Sequence, residues 1–313
     1  MQALLNAIAL TELSTDATRI FHGRGGLHPG CEHWTLDFYP PVWVLTSFKS
    51  VSEDELTQIH EALAARWKIL SADTPLDTLN WVYQCREEGT EAETRLMSGS
   101  VPTPHRVSEG LAQYGVHVLK GQNHGLFLDM AEGRRWVREF TTQHPAPRGI
   151  KVLNLFAYTC AFSVVALQAG AERVLNMDMS PGALSIGKQN HALNGLTAGA
   201  SFMPHDVFTS WGKITRGGPY DLIILDPPSF QKGSFVATKD YARLMRRLPN
   251  LLMPGGHALL CLNTPKLGVS FLQDQMQELA PELTFVERLA NPPAFADVDA
   301  DRALKVLVYK APD

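Results

Sequence analysis

The sequence predicts a doubly wound, mostly parallel α/β sheet of seven strands, preceded by a smaller N-terminal α+β domain. Three observations carry this. The chain has 313 residues, too many for one ordinary core and about right for two. Its character changes at "QHPAPRG" (143–149), a run of turn formers. Beyond that run, continuous apolar strands alternate with helical segments, as in a parallel sheet covered on both faces.

The elements follow in order. "HWTLDFYPPVWVLTSF" (33–48) reads as two strands broken at Pro40-Pro41. "SVSEDELTQIHEALAARWKI" (50–69) reads as a helix. Ser52 and Glu55 make a capping box, and Leu56, Ile59, Leu63 and Trp67 share one face. "LNWVYQCREE" and "GVHVLKGQNHGLFLDM" read as strand-like pieces, and no repeat is visible. "IKVLNLF" is then a strand, "AFSVVALQAGA" a helix and "RVLNMDM" a strand. "PGALSIGKQNHALNG" is a helix with Pro181 near its start and Gly195 past its end. A piece near "FMPHDVF" and "YDLIILD" continue the sheet, "ATKDYARLMRRLPNLL" is a helix, and "GHALLCLN" a strand. "FLQDQMQELAPE" is a helix, and "TFVERL" and "ALKVLVYK" close the sheet.

Apolar residues make up 45% and charged residues 19%, which fits a soluble globular protein. No apolar run is long enough to span a bilayer, and "MQALLNAIALTELSTD" lacks a signal peptide's basic start and cleavage site. The expected setting is cytosolic. A net charge of −4 exerts no global pull on nucleic acid, so such a partner must be held by local patches. Cys31, Cys85, Cys160 and Cys261 form no CxxC pair, which points to reduced thiols.

In a doubly wound sheet the ligand lies beyond the carboxyl ends of the strands. The second strand ends at Asp178, and Asp206 and Asp226 follow the next two. An acid after the second strand is how Rossmann-type sheets hold ribose, although Asp178 could equally be a plain strand-end acid. "LFAYTCAF" holds no glycine, so a pyrophosphate would lack its cradle. That weighs against NAD or FAD and suits a nucleoside ligand without phosphates, such as S-adenosylmethionine.

"VLNLFAYT", "NMDMS", "DLIILDPPSF" and "HGLFLDM" together resemble the class I S-adenosylmethionine-dependent methyltransferases of the large-subunit rRNA type. Within that family the sequence resembles the K/L-type guanine-N7 and I-type cytosine-C5 enzymes. The resemblance is good from about residue 115, which implies a Rossmann-like methyltransferase domain over 116–313 and a substrate domain over 1–115. It implies a methionine-side turn from Asn154 through Phe156, Tyr158 and Thr159. It implies ribose contact by Asp178, adenine contacts by Met179 and Asp206, and a place in the cofactor site for Ser180. Phe127 and Asp129 would close over the cofactor, with a core aromatic as the other reading of Phe127.

Asp226, Pro227, Pro228 and Phe230 are the expected catalytic loop, Asn263 is the further expected catalytic residue, and Asp226 is also expected in the cofactor site. Consecutive prolines fix φ and present carbonyls without competing N–H groups. Phe230 could stack on a base drawn from its helix, and a rigid loop with a packed ring is the alternative. Pyrimidine C5 needs a covalent cysteine adduct. Counting from Gly255-Gly256, the position of the I-type cysteine holds Asn263, and Cys261 lies two residues earlier on the strand. A nitrogen acceptor on an rRNA base, guanine first, is therefore expected. Cytosine C5 through Cys261, a small molecule or protein as substrate, and a degenerate RNA-binding module are the rivals. Cys160 stands where the family has glycine and reads as a packing residue.

Arg134, Arg135 and Arg138 crowd one helix, and Lys232, Lys239, Arg243, Arg246 and Arg247 follow the Asp-Pro-Pro loop. They are solvated faces or grips for RNA phosphates. His22, His28, Cys31 and His33 match no standard zinc spacing, so a structural or RNA-contacting loop is expected and no metal.

Overall fold

A computed structural model describes residues 1–72, 78–87, 89, 91–144, 149–228, 230–231 and 235–313, without the side chains of 230 and 231. The chain forms two compact units. Unit 1 is Met1–Leu128 with Pro293–Asp299, and unit 2 is Asp129–Pro292 with Ala300–Asp313.

Unit 1 contains α1 (Gln2–Leu10), β1 (Thr18–His22), β2 (Trp34–Tyr39), β3 (Val42–Ser47), α2 (Glu53–Leu70), β4 (Asn80–Cys85), β5 (Glu93–Ser98) and a hairpin of β6 (His105–Glu109) and β7 (Ala112–Val116). β1 to β5 form one sheet in sequence order, antiparallel except for β3 and β4, which run parallel and are joined through α2. The capping box forms: Ser52 Oγ accepts from the Glu55 N–H, and the Glu55 carboxylate accepts from the Ser52 N–H at 2.9 Å. Leu56, Ile59, Leu63 and Trp67 are buried against Leu36, Trp43, Leu45 and Trp81 on one sheet face. The alternate positions, Thr35, Asp37, Thr46 and Gln84, point to the other face and are also buried.

That second face explains two departures from expectation. Only Gly115 and Val116 of "GVHVLKGQNHGLFLDM" lie in a strand, and 117–127 forms none. Its backbone instead receives the sheet's polar side chains. Gln84 donates to the Gly121 carbonyl at 2.7 Å, and the Tyr39 hydroxyl to the Leu126 carbonyl at 3.3 Å. These bonds keep the segment in unit 1, so the expected division after residue 115 cuts through β7 and the unit runs on to Leu128.

Unit 2 contains α3 (Ala131–Gln143), β8 (Lys151–Leu155), α4 (Ala161–Gln168), β9 (Arg173–Asp178), α5 (Pro181–Leu193), β10 (Ala200–Pro204), α6 (Trp211–Gly217) and β11 (Tyr220–Leu225). A short hairpin of β12 (Phe230–Gln231) and β13 (Phe235–Val236) follows, then α7 (Ala237–Met245), α8 (Leu248–Leu251), β14 (Leu252–Leu262), α9 (Val269–Leu279), β15 (Thr284–Arg288) and β16 (Lys305–Lys310). The seven-stranded sheet has the order β10-β9-β8-β11-β14-β16-β15, with only β16 antiparallel to its neighbours. The helix expected from "ATKDYARLMRRLPNLL" is split into α7 and α8. Pro249 lacks the N–H that a continuous helix would need and sits in the first turn of α8, where none is required.

Strands in the middle of this sheet are apolar on both faces, and the core between them and α7, α8 and α9 is built on Ile223, Leu225, Tyr241, Leu244, Leu260 and Leu272. Strand order reverses between β8 and β11, which opens a crevice beyond their carboxyl ends.

Candidate active site

The turn after β8 holds no glycine, yet Phe156, Tyr158 and Cys160 all have positive φ, at 57°, 46° and 60°. Left-handed backbone disfavours residues with a Cβ by about 1–2 kcal/mol each. Hydrogen bonds offset this. The Tyr158 N–H donates to Asp178 Oδ2 at 2.8 Å, the Ala157 N–H to the Met177 carbonyl at 3.1 Å, and the Cys160 N–H to the Ala157 carbonyl at 2.7 Å. The other Asp178 oxygen accepts from the Ser180 N–H at 2.8 Å. Asp178 thus ties the β8 turn to the start of α5. Ser180 caps that helix, its Oγ accepting from the Ala183 N–H at 3.1 Å. Met179 is half exposed, and Asp206 accepts from the Phe208 N–H at 2.6 Å.

Asn154 is not at the crevice surface. It is buried, and its amide starts a polar chain through the interior. Asn154 Nδ2 donates to Asn176 Oδ1 at 2.9 Å, and Asn176 Nδ2 to Ser163 Oγ at 3.0 Å. His191 Nδ1 lies 2.7 Å from the Gly187 carbonyl, which can only accept, so the proton sits on Nδ1. Nε2 then accepts from Ser163 Oγ at 2.9 Å. Burial lowers the His191 pKa and keeps the ring neutral, as this chain requires. Thr159 is buried too, its carbonyl accepting from Asn190 Nδ2 at 3.0 Å. Neither Asn176, Ser163 nor His191 is marked by any local sequence pattern.

A second cluster gathers at the ends of β11 and β14. Burial first, and then the neighbouring Asp129 carboxylate, push the half-buried Asp226 carboxyl up to about 7, with Arg134 pulling the other way. Arg134 is not on a solvated face as expected: it is 3% exposed and turns in from α3. Asn263 Nδ2 donates to Asp129 Oδ2 at 3.3 Å. The segment carrying Asn263 is held from beneath by the fully buried Lys305, whose Nζ donates to the Thr264 and Asp301 carbonyls at 2.6 and 2.7 Å.

Pro227 is buried and Pro228 partly so. Phe230 pairs through its backbone with Val236, and its side chain lies outside the described residues. Phe235, which the sequence did not single out, is buried with ring centroids 5.4 Å from Phe156, 6.4 Å from Phe208 and 5.5 Å from Tyr241. Cys261 is fully buried, and burial and the nearby carboxylates hold its thiol well above the usual range. Its carbonyl accepts from the Tyr241 hydroxyl. Cys160 is also buried, and burial raises its thiol likewise. Phe127, in unit 1, is 39% exposed.

Arg135 is paired with Glu132 and, at 2.8 Å, with Glu139, and Arg138 donates to Gln168 at 2.8 Å. Arg243 pairs with Asp240 at 3.0 Å and lies 3.9 Å over the Phe208 ring, while Arg247 lies 5.2 Å over Trp211. Lys239 and Arg246 are exposed, and Lys232 lies outside the described residues. The four donors of the glycine-rich loop take separate partners: His22 faces Arg19, His28 stacks on Phe21, His33 sits beside Trp34, and Cys31 is buried in the core. Among the described residues no group of three or more His, Cys, Asp or Glu could hold a metal, and no helix is long and apolar enough to cross a membrane.

The donor set at β9 fits a nucleoside. A carboxylate only accepts, and each Asp178 oxygen receives one backbone N–H, which leaves lone pairs for hydroxyls. The exposed Met179 thioether beside it offers an apolar face to an aromatic ring.

The family profile for S-adenosylmethionine-dependent methyltransferases matches residues 18–310. The ribosomal RNA large subunit methyltransferase I of Aeromonas hydrophila is 35% identical over 229 residues, 71% of this chain and 55% of that protein. The K/L methyltransferase of a Psychrobacter species is 37% identical over 185 residues, 56% of this chain and 22% of that protein. The chain thus spans about half, or less, of these relatives' length. A Streptococcus mutans structure assigned to the SAM-dependent methyltransferases superposes with a TM-score of 0.80 at 24% identity, over 99% of this chain and 81% of that one, which shows the fold. With the profile covering both the acid-ended strands and the Asp-Pro-Pro segment, this chain belongs to the S-adenosylmethionine-dependent methyltransferases.

Proposed function

We propose that the chain methylates a nitrogen of a nucleobase in RNA, with a large-subunit rRNA guanine as the first candidate. The observation that carries this reading is the side chain at the end of β14. An amide, Asn263, bonds the Asp129 carboxylate there, and Asp129 in turn acts on the Asp226 carboxyl. The names of the curated relatives support RNA as the substrate class.

S-adenosylmethionine supplies a methyl group already activated by its sulfonium charge. The protein's task is therefore to hold and aim the acceptor, and alignment alone is worth on the order of 7–11 kcal/mol. In this reading Asp178 takes the ribose hydroxyls, with Ser180 at the same helix start. Met179 and Asp206 serve the adenine side. Phe156, Tyr158 and Thr159 back the methionine side through their turn. Asp226 and the carbonyls around Pro227 and Pro228 accept from a base N–H, Phe230 supports the base, and Asp129 with Asn263 fixes the cluster.

The second reading is cytosine C5, because I-type enzymes are among the relatives. It needs a reachable thiolate. Cys261 is buried with its thiol held protonated, which favours nitrogen. The test is tritium transfer from the cofactor into large-subunit rRNA from cells lacking the protein, followed by nucleoside mass mapping. Cys261→Ser is expected to keep full transfer, and Asn263→Ala to lose about 100-fold through misalignment. No label in RNA overturns the substrate, and loss of transfer in Cys261→Ser overturns nitrogen in favour of C5.

A further inference from the structure

One face of the unit 1 sheet gathers three guanidiniums, those of Arg19, Arg24 and Arg86. Arg19 of β1 lies opposite Asp37 of β2 in the ladder. Its Nε and Nη2 donate to the two carboxylate oxygens at 2.7 and 3.0 Å, and its Nη1 meets His22 Nδ1 at 2.8 Å. Asp37 is thereby committed to Arg19. Arg86 leaves β4 on the same sheet face, where it donates to the neutral Gln84 side chain and lies 3.3 Å from His124 Nε2. Arg24 sits in the tight turn after β1, its guanidinium 4.0 Å over the Phe48 ring.

Among the described residues no carboxylate lies within ion-pair distance of Arg24 or Arg86. The three guanidiniums nevertheless sense one another. Burial, with Arg19 and Arg24, lowers Arg86 to about 10 despite Asp37 and Tyr39, and burial and Arg19 lower Arg24. The histidines bring no compensation. Burial and then the adjacent arginines hold His22 and His124 down to about 4, so both are neutral acceptors. Asp297 is also felt there, at His22.

Like charges drawn together need a reason. The turn carrying Arg24 is also rigid, because Gly23 packs against the Cys31 carbonyl and Gly25 against that of Ala296 with no room for a Cβ. We propose that Arg24 and Arg86, flanking the Arg19–Asp37 pair, form a phosphate-binding site in unit 1. Guanidinium forks match phosphate oxygens, and partial desolvation strengthens the contact. A backbone phosphate of the substrate RNA is the occupant, which rests on the RNA reading above. A free phosphate ion presents the same chemistry.

The test uses the full chain with Arg24→Gln, Arg86→Gln and the double substitution. Binding of a large-subunit rRNA fragment is followed by anisotropy against KCl concentration. Thermal unfolding is followed against inorganic phosphate. In the double variant the slope of log affinity against log salt is expected to fall by about 0.7, the loss of one phosphate contact. Cofactor affinity by calorimetry is expected to stay unchanged. Phosphate is expected to raise the melting temperature of the wild type and not of the variant. A phosphate effect with no RNA effect keeps the site and assigns it to a free ion. Wild type that responds to phosphate but binds no RNA keeps the site and overturns the RNA reading. An unchanged salt slope together with no phosphate-dependent shift overturns the site. Arg24 is the most exposed of the three, so Arg24→Gln decides the matter should Arg86→Gln fail to fold.

Discussion

At Asp226 burial and the Asp129 carboxylate act in the same direction, and Arg134 only partly opposes them. The folded carboxyl keeps its proton up to about 7, whereas the unfolded chain releases it near 3.8. Between those values the folded state binds more protons than the unfolded one. The stabilising contribution is therefore complete below about pH 4 and is lost as pH rises through about 7. Asp226→Asn removes this titration. Urea unfolding of both proteins near pH 5 and near pH 8 is expected to show the variant gaining on the wild type as pH rises. Parallel pH dependence in the two would mean that the proton is not held at this carboxyl. The sequence marked Asp226, Asp129 and Asn263 one by one, through strand ends and a motif. Their meeting was not readable, because Asp129 and Asn263 stand 134 positions apart and only the folded chain between them brings them together.

The β8–α4 turn shows the same limit at the level of an element. The missing glycines argued against a pyrophosphate cradle, but they also concealed three left-handed residues. Tertiary hydrogen bonds to Asp178 and the interior chain from Asn154 to His191 hold a conformation that local propensity disfavours, so no window of sequence could report it. Strands and helices of unit 2 were readable because double-sided burial leaves a local apolar run, and capping leaves Pro181 and Gly195 in place. The turn's packing supplies a prediction. A Cβ on Gly187 of α5 would lie 2.5 Å from Cys160 Sγ and 3.1 Å from its Cβ. Gly187→Ala is therefore expected to destabilise by about 1–3 kcal/mol through overpacking. In a Cys160→Gly background the obstruction is gone and the helix preference of alanine remains. There the same substitution is expected to stabilise by up to about 1 kcal/mol. Urea midpoints across this cycle check the sign reversal, and equal losses in both backgrounds would place the strain elsewhere.

Across the whole molecule the chain leaves unit 2 at Pro292, spends Pro293–Asp299 in unit 1, and returns. Nothing in the sequence announces this excursion, for the partners of Phe295 are residues of β1 far up the chain. Its ring lies 4.4 Å beneath the Arg19 guanidinium and 5.3 Å from His22, and it is itself buried. The Val298 N–H closes the contact on the Gly25 carbonyl at 2.8 Å. Each unit has its own apolar core, so loss of this ring should be felt where the ring packs and not where the chain comes from. Phe295→Ala is expected to destabilise unit 1 by about 3 kcal/mol, the lower end for a buried aromatic truncated to alanine. Native-state hydrogen exchange is the measurement. Amides of β1 to β4 should lose protection, while those of β8, β9 and β11 keep theirs, because sub-global opening follows the packed unit rather than chain order. Equal loss in both groups of strands would mean that the seven-residue excursion couples the two cores into a single unfolding unit. Because the same ring helps seat Arg19 beside Asp37, the substitution should also weaken the phosphate response attributed to Arg24 and Arg86, without changing the affinity for S-adenosylmethionine.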